Sequence, residues 1–294
     1  MNREATLSRT EPTTPTLRTV LRVAAGMPAS DGAGVKLTRS LGMPGLRNLD
    51  PFLMLDEIRS DDPGAYLAGF PSHPHRGFET ITYVLAGRMR HKDNRGNEGV
   101  LEGGGAQWMT AARGIVHSEM PEQESGLMWG FQLWLNLPSH EKMKPASYRD
   151  IPAHEIPSVR LGEHSEARVL AGTLRGVRGP AESKSTEPFF FDVRAGAGET
   201  LDIDVPSGHR VFAYVYEGSA RFGESSTGDL VPRQRVVAFN DGAVVRVAAS
   251  TEGVKLLLIG GRPIGEPIVQ HGPFVMNTQA EIAQAFEDYR AGRF

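Results

Sequence analysis

From Leu17 onward the chain runs as short apolar stretches broken by glycine and proline, too often for long helices and at the spacing of an antiparallel barrel or sandwich. Between Glu79 and Leu85 the pattern alternates: Ile81, Tyr83 and Leu85 share parity with His73 and His75, while Thr80 and Thr82 take the other face. An unbroken strand would aim those histidines and apolar side chains inward together, and Gly77 is where a bulge would reverse the parity. Ala86-Gly87 and the segment from Asp93 to Gly99 read as turns. Gly103-Gly104-Gly105 lacks the strand-to-helix setting of a phosphate loop and reads as another. The run Trp129 to Leu137 alternates again, with Phe131, Leu133 and Leu135 against Gln132, Trp134 and Asn136, and Pro138 ends it. One helix is expected at the end, where Thr278 and Glu281 form a capping box and Ile282, Ala285, Phe286 and Tyr289 share a face that needs a surface to cover.

The fold class expected is therefore all-β with a short C-terminal helix. Residues 1–16 are polar and aperiodic and read as a flexible arm. Residues 17–138 form a first β unit, the proline-rich polar stretch 139–157 a linker, 158–276 a second β unit, and 277–294 the helix. The second unit echoes the first: His75-Arg76-Gly77-Phe78 with Tyr83-Val84-Leu85-Ala86-Gly87 resembles His209-Arg210-Val211-Phe212 with Tyr214-Val215-Tyr216-Glu217-Gly218. A repeated supersecondary plan explains this, and the second copy keeps only the lone His209, so it is expected to hold no metal.

Composition narrows the function. At 294 residues, 39% hydrophobic and 23% charged, the chain can bury a full core. No apolar run approaches the roughly 18 residues of a membrane span, and a net charge of −3 offers no basic footprint for nucleic acid. There is no cysteine, hence no disulfide, thiolate site or Cys nucleophile. No apolar segment precedes Val20 to serve as a secretory signal, so the cytoplasm is the expected location.

The chemistry lies between Phe70 and Trp134. In His73-Pro74-His75 and in His117-Ser118-Glu119 residues i and i+2 of a strand point the same way, so each motif aims two ligand-type groups at one side. Paired across a barrel mouth, His73, His75, His117 and Glu119 would give three imidazoles and a carboxylate, a set suited to iron, manganese, nickel, copper or zinc. A buried His–Glu ion pair satisfies the same spacing. With four protein ligands, about two octahedral positions would stay free to orient two reactants side by side. Glu119 would then act as a charge-neutralising ligand or as the general base that takes the substrate hydroxyl proton, and Phe70 and Gln132 are candidates for the pocket wall. Arg76 is expected to pair with a carboxylate, and Trp108, Trp129 and Trp134 to lie in the core. His91, His140, His154, His164 and His271 have no partner at ligand spacing and receive no catalytic role.

His73-Pro74-His75, then Glu79, Gly87 and Ala112-x-Gly114-x-x-His117, resemble the paired motifs of the cupin superfamily, with Ala112 where many cupins have proline. The strings GFPSHPHRGFETITYVLAGRMRH, QWMTAARGIVHSEMPE, FQLWLNLP and GEPIVQHGPFVMNT resemble the pirin family more specifically, and the likeness spans about Arg22 to Phe294 apart from the region around Leu161 to Lys184. At Gly105-Ala106 this chain departs from the Asp-Val of many relatives. The resemblance implies a bicupin of two cupin-type β-barrels, the N-terminal one holding Fe(2+), or another divalent ion such as Mn, Ni, Cu, Zn or Co, through His73, His75, His117 and Glu119. Glu79, a ligand in many cupins, would stand behind the ligands. The resemblance further implies either quercetin 2,3-dioxygenase activity on a flavonol with O2 or a regulatory protein whose iron state governs binding to a transcriptional regulator or metabolic enzyme.

Overall fold

The computed structural model describes residues 16–224 and 228–294, so all but the last residue of the expected arm lies outside the described residues. The architecture is two β-barrels and one C-terminal helix, as expected. The first barrel pairs a seven-stranded sheet with a four-stranded one. The large sheet runs Ser147–Ile151, Ala106–Thr110, Phe78–Ala86, Met128–Asn136, Phe52–Ser60, Val35–Leu41, Met27–Asp31; the small one runs Phe70–His75, Ile115–Pro121, Arg88–Asp93, Glu98–Glu102. A nine-stranded sheet makes the second barrel, built on the long strands Arg210–Phe222 and Val244–Gly261.

The barrels meet along a shared apolar layer in which Leu55, Ile81, Phe131 and Leu133 pack against Phe190, Phe212, Leu257 and Ile259. Two hydrogen bonds, one buried and one part-buried, cross that layer reciprocally. Tyr83 donates to Asp192 at 2.7 Å, and Tyr214 donates to Glu57 at 2.6 Å. Register shows the exchange to be symmetric: Tyr83 and Glu57 both lie opposite Phe131, while Tyr214 and Asp192 both lie opposite Leu257. The tyrosines are the ones aligned by the sequence echo, so the repeat is structural.

The linear division into units needs three corrections. Val20–Ala25 pairs with Arg235–Phe239 and so belongs to the second barrel's sheet, although its neighbours in sequence build the first. Residues 139–157 are more than a linker, because Ser147–Ile151 adds an edge strand to the first barrel. The hairpin Val269–His271 and Phe274–Met276, placed by sequence with the second unit, returns to the first barrel through a bridge between Phe274 and Arg76. Each end of the chain thus clasps the opposite barrel.

The helix Gln279–Arg290 starts at the expected capping box, and Ile282 and Ala285 are buried against Phe274 and Met276. Arg76 finds its carboxylate here: it donates to Asp288 at 2.7 Å and to the Arg113 carbonyl at 2.6 Å, with its guanidinium over the Phe294 ring. The bond from Arg76, with those from Arg293 and Gln284, holds the Asp288 carboxyl well below the usual range. Among the described residues no helix is long and apolar enough to cross a membrane.

Candidate metal centre

Gly77 decides which side chains enter the first barrel. Its φ of 92° ends the strand Phe70–His75, and a Cβ there would lie 1.9 Å from the Val275 carbonyl, so only glycine allows both the turn and the approach of the C-terminal hairpin. Parity reverses across it, against the expectation from an unbroken strand. Ile81 and Tyr83 face the second barrel, while Thr82 faces inward, where its hydroxyl reaches Glu119. The same alternation sends Phe131 and Leu133 outward to that layer and Gln132 and Trp134 inward.

The strands Ile115–Pro121 and Phe70–His75 pair antiparallel with His117 opposite His73, which brings the motifs together. One nitrogen from each of His73, His75 and His117 lies within 4.8 Å of the others. His73 Nδ1 stands 2.8 Å from the Pro71 carbonyl. A carbonyl only accepts, so Nδ1 carries the proton and Nε2 presents its lone pair. That lone pair faces His75 Nε2 at 3.0 Å. His75 is buried between the rings of Phe78 and Trp134, and among the described residues its Nδ1 has no hydrogen-bond partner; neither nitrogen of the equally buried His117 has one. Buried nitrogens without partners beside converging lone pairs fit a cation. Burial lowers His117 to about 4, an effect that nearby Glu119 opposes, and burial together with the neighbouring imidazoles puts His75 well below its usual value. Both are neutral near pH 7, the form that binds metal.

Glu119 is buried on the same strand face as His117, outside the group of three imidazoles. Gln132 Nε2 donates to both its carboxylate oxygens, at 3.2 and 3.0 Å, and Thr82 donates to one at 3.2 Å. Behind these donors a polar row crosses the large sheet at one level: Arg39 opposite Asp56, Asp56 opposite Gln132, Gln132 opposite Thr82, Thr82 opposite Gln107, Gln107 opposite Asp150. Sequence reasoning found Gln132 but missed Arg39, Asp56, Thr82 and Gln107. Their common signal, a polar side chain at the inward position of consecutive strands, emerges only once the strand register is known.

A cavity of about 630 Å³ reaches His73 and His75, and Phe70 and Gln132 both line it with Met54, Trp134 and Pro273. Glu79 is away from it. Its side chain alternates with Phe78, which packs on His75, and it accepts a 2.7 Å bond from Thr110 instead of backing the imidazoles. His91 is buried, with Nε2 2.9 Å from Asp150, a hydrogen-bond partner invisible at ligand spacing. In the second barrel His209 stacks on Phe189, with Nε2 3.1 Å from the Glu187 carbonyl.

Residues 34–135 match the family model described as Pirin, and residues 190–294 match the Pirin C-terminal cupin domain. A pirin-like protein of Caulobacter vibrioides is 48% identical over 279 residues, covering 95% of this chain and 99% of its own. A crystal structure of quercetin 2,3-dioxygenase from Acinetobacter baumannii superposes with a TM-score of 0.88 at 34% identity, covering 95% of this chain and 99% of that one. A bacterial pirin from Escherichia coli, solved in complex with nickel(II), shares the fold at 18% identity with a TM-score of 0.65, covering 82% of this chain and 98% of its own.

Proposed function

This chain belongs to the pirin family, and from that premise we propose that it is a metal-dependent dioxygenase of the quercetin 2,3-dioxygenase type, opening a flavonol ring with O2 at an iron(II) centre. The observation that carries this reading is the cavity: about 630 Å³, open to His73 and His75, with the rings of Phe70 and Trp134 in its wall. That volume falls inside the range of about 300–1,000 Å³ usual for small-molecule sites. Aromatic walls favour a flat aromatic ligand over a polar or flexible one.

His73, His75 and His117 would hold the ion, with Glu119 as fourth ligand. The bound metal supplies Lewis acidity and positions for two reactants. The protein does the rest. The Pro71 carbonyl fixes the tautomer of His73, and Phe78 and Trp134 fix the ring plane of His75. Gln132 and Thr82 hold the Glu119 carboxylate by three N–H and O–H contacts, orienting it to receive the hydroxyl proton of the substrate. The similarity to the A. baumannii enzyme supports the same choice of chemistry.

The test is to load metal-free protein anaerobically with iron(II), and separately with other divalent ions, then follow dioxygen uptake with a panel of flavonols. Metal-dependent uptake matching flavonol loss is expected; no turnover of any flavonol with any metal would reject the reading.

A further inference from the structure

The cavity that reaches His73 and His75 is also lined by Asp31 and Arg39, both from the hairpin Met27–Asp31 and Val35–Leu41. Arg39 ends the buried polar row. Its Nε and Nη2 donate to the two oxygens of Asp56 at 2.8 and 2.7 Å, and Nη2 also donates to Asp31 at 2.7 Å. Nη1 has no hydrogen-bond partner among the described residues. Asp56 is buried, whereas the Asp31 side chain is half exposed and accepts a second bond from the Gly32 amide at 2.8 Å. The fork on Asp56 fixes the guanidinium plane and leaves Nη1 uncommitted, beside an Asp31 carboxylate that still has lone pairs to offer, both on residues that line the cavity.

Two aspartates around one arginine leave no net positive charge, so the wall is poorly suited to a carboxylate or phosphate ligand. A vicinal pair of phenolic hydroxyls matches it: one oxygen accepts from Arg39, and the neighbouring hydroxyl donates to Asp31. Resting on the flavonol reading above, we propose that Arg39 and Asp31 are specificity-determining residues that select substrates carrying a catechol on the ring remote from the metal-binding oxygens. A wall that pairs with hydroxyls disfavours an analogue lacking them, because such a ring displaces water from the donor and acceptor without replacing its hydrogen bonds.

Three flavonols test this: galangin, kaempferol and quercetin, which share the enediol end and carry none, one and two hydroxyls on the remote ring. Their kcat/KM values are measured on metal-loaded protein, and their dissociation constants anaerobically by quenching of tryptophan fluorescence. Wild type should favour quercetin over galangin about tenfold in both readouts, the worth of one to two net hydrogen bonds. In Asp31→Ala, and independently in Arg39→Lys, the ratio should fall to about twofold. A wild-type ratio near one, or a ratio that neither variant changes, overturns the inference while leaving the dioxygenase reading intact if dioxygen is still consumed. Graded binding without dioxygen uptake sinks the dioxygenase reading and keeps the inference; no binding of any flavonol sinks both.

Discussion

The two barrels share one frame and differ in what fills it. In the first, the row Arg39, Asp56, Gln132, Thr82, Gln107 runs from strand to strand across the inner face. The equivalent row in the second, found by the same register, is Val169, Phe191, Leu258, Ala213, Val237, and every member lies in that barrel's apolar core. Backbone pairing, strand order around the row and even the tyrosine that reaches across the interface are common to both. Barrel geometry therefore does not make the candidate site; one row of inward side chains and the His-x-His and His-x-Glu motifs facing it do. Burying that polar row costs solvation that must be recovered by hydrogen bonds, as the forks on Asp56 and Glu119 recover it.

Exchanging members of the two rows should break the comparison most strongly in the second barrel. Leu258→Gln would place an amide among apolar neighbours with no partner and should cost about 3–5 kcal/mol of stability in urea unfolding. Metal content should not change. Acid should act through the first barrel. An unfolded histidine titrates near 6.5, whereas His117 in the folded, metal-free protein is lowered to about 4 by burial. Between those values the unfolded chain binds a proton that the folded chain refuses, so stability is lost as pH falls from about 6.5 to about 4. The loss from this group alone is about 3 kcal/mol, with no further loss from it below that window. Unfolding curves at fixed ionic strength would measure this, and His117→Phe should flatten the profile.

The reciprocal exchange, Gln132→Leu, makes the first row more like the second at one position. It removes the amide that grips both oxygens of Glu119. Metal affinity or turnover should fall about 10–100-fold, the usual cost of losing a group that orients a ligand, while circular dichroism stays native. Smallest should be the pair Tyr83→Phe and Tyr214→Phe. Each strips one donor from a carboxylate at the interface, Asp192 or Glu57, and each should cost about 1–2 kcal/mol. Unequal costs would show that the symmetry of register is not a symmetry of energy.

Much of this was legible in the chain. The His-x-His and His-x-Glu spacings, the capping box at Thr278, the carboxylate partner of Arg76 and the echo around Tyr83 and Tyr214 are local patterns, and local geometry preserves them. What failed depends on contacts distant in sequence. The parity across Gly77 turns on the Val275 carbonyl, nearly two hundred residues away in the chain, and the domain boundaries were blurred because each terminal segment pairs with the far barrel. Glu79 was misplaced behind the ligands for the same reason: the reversal at Gly77 puts it on the other face.

The central claim is that a single ion binds between the imidazoles of the first barrel and nowhere in the second. Metal-free wild type, His117→Ala and His209→Ala should each be incubated with iron(II) under argon, desalted and analysed for metal per chain. The account predicts one equivalent in wild type and in His209→Ala and close to none in His117→Ala; a full equivalent retained by His117→Ala, or lost from His209→Ala, would contradict it.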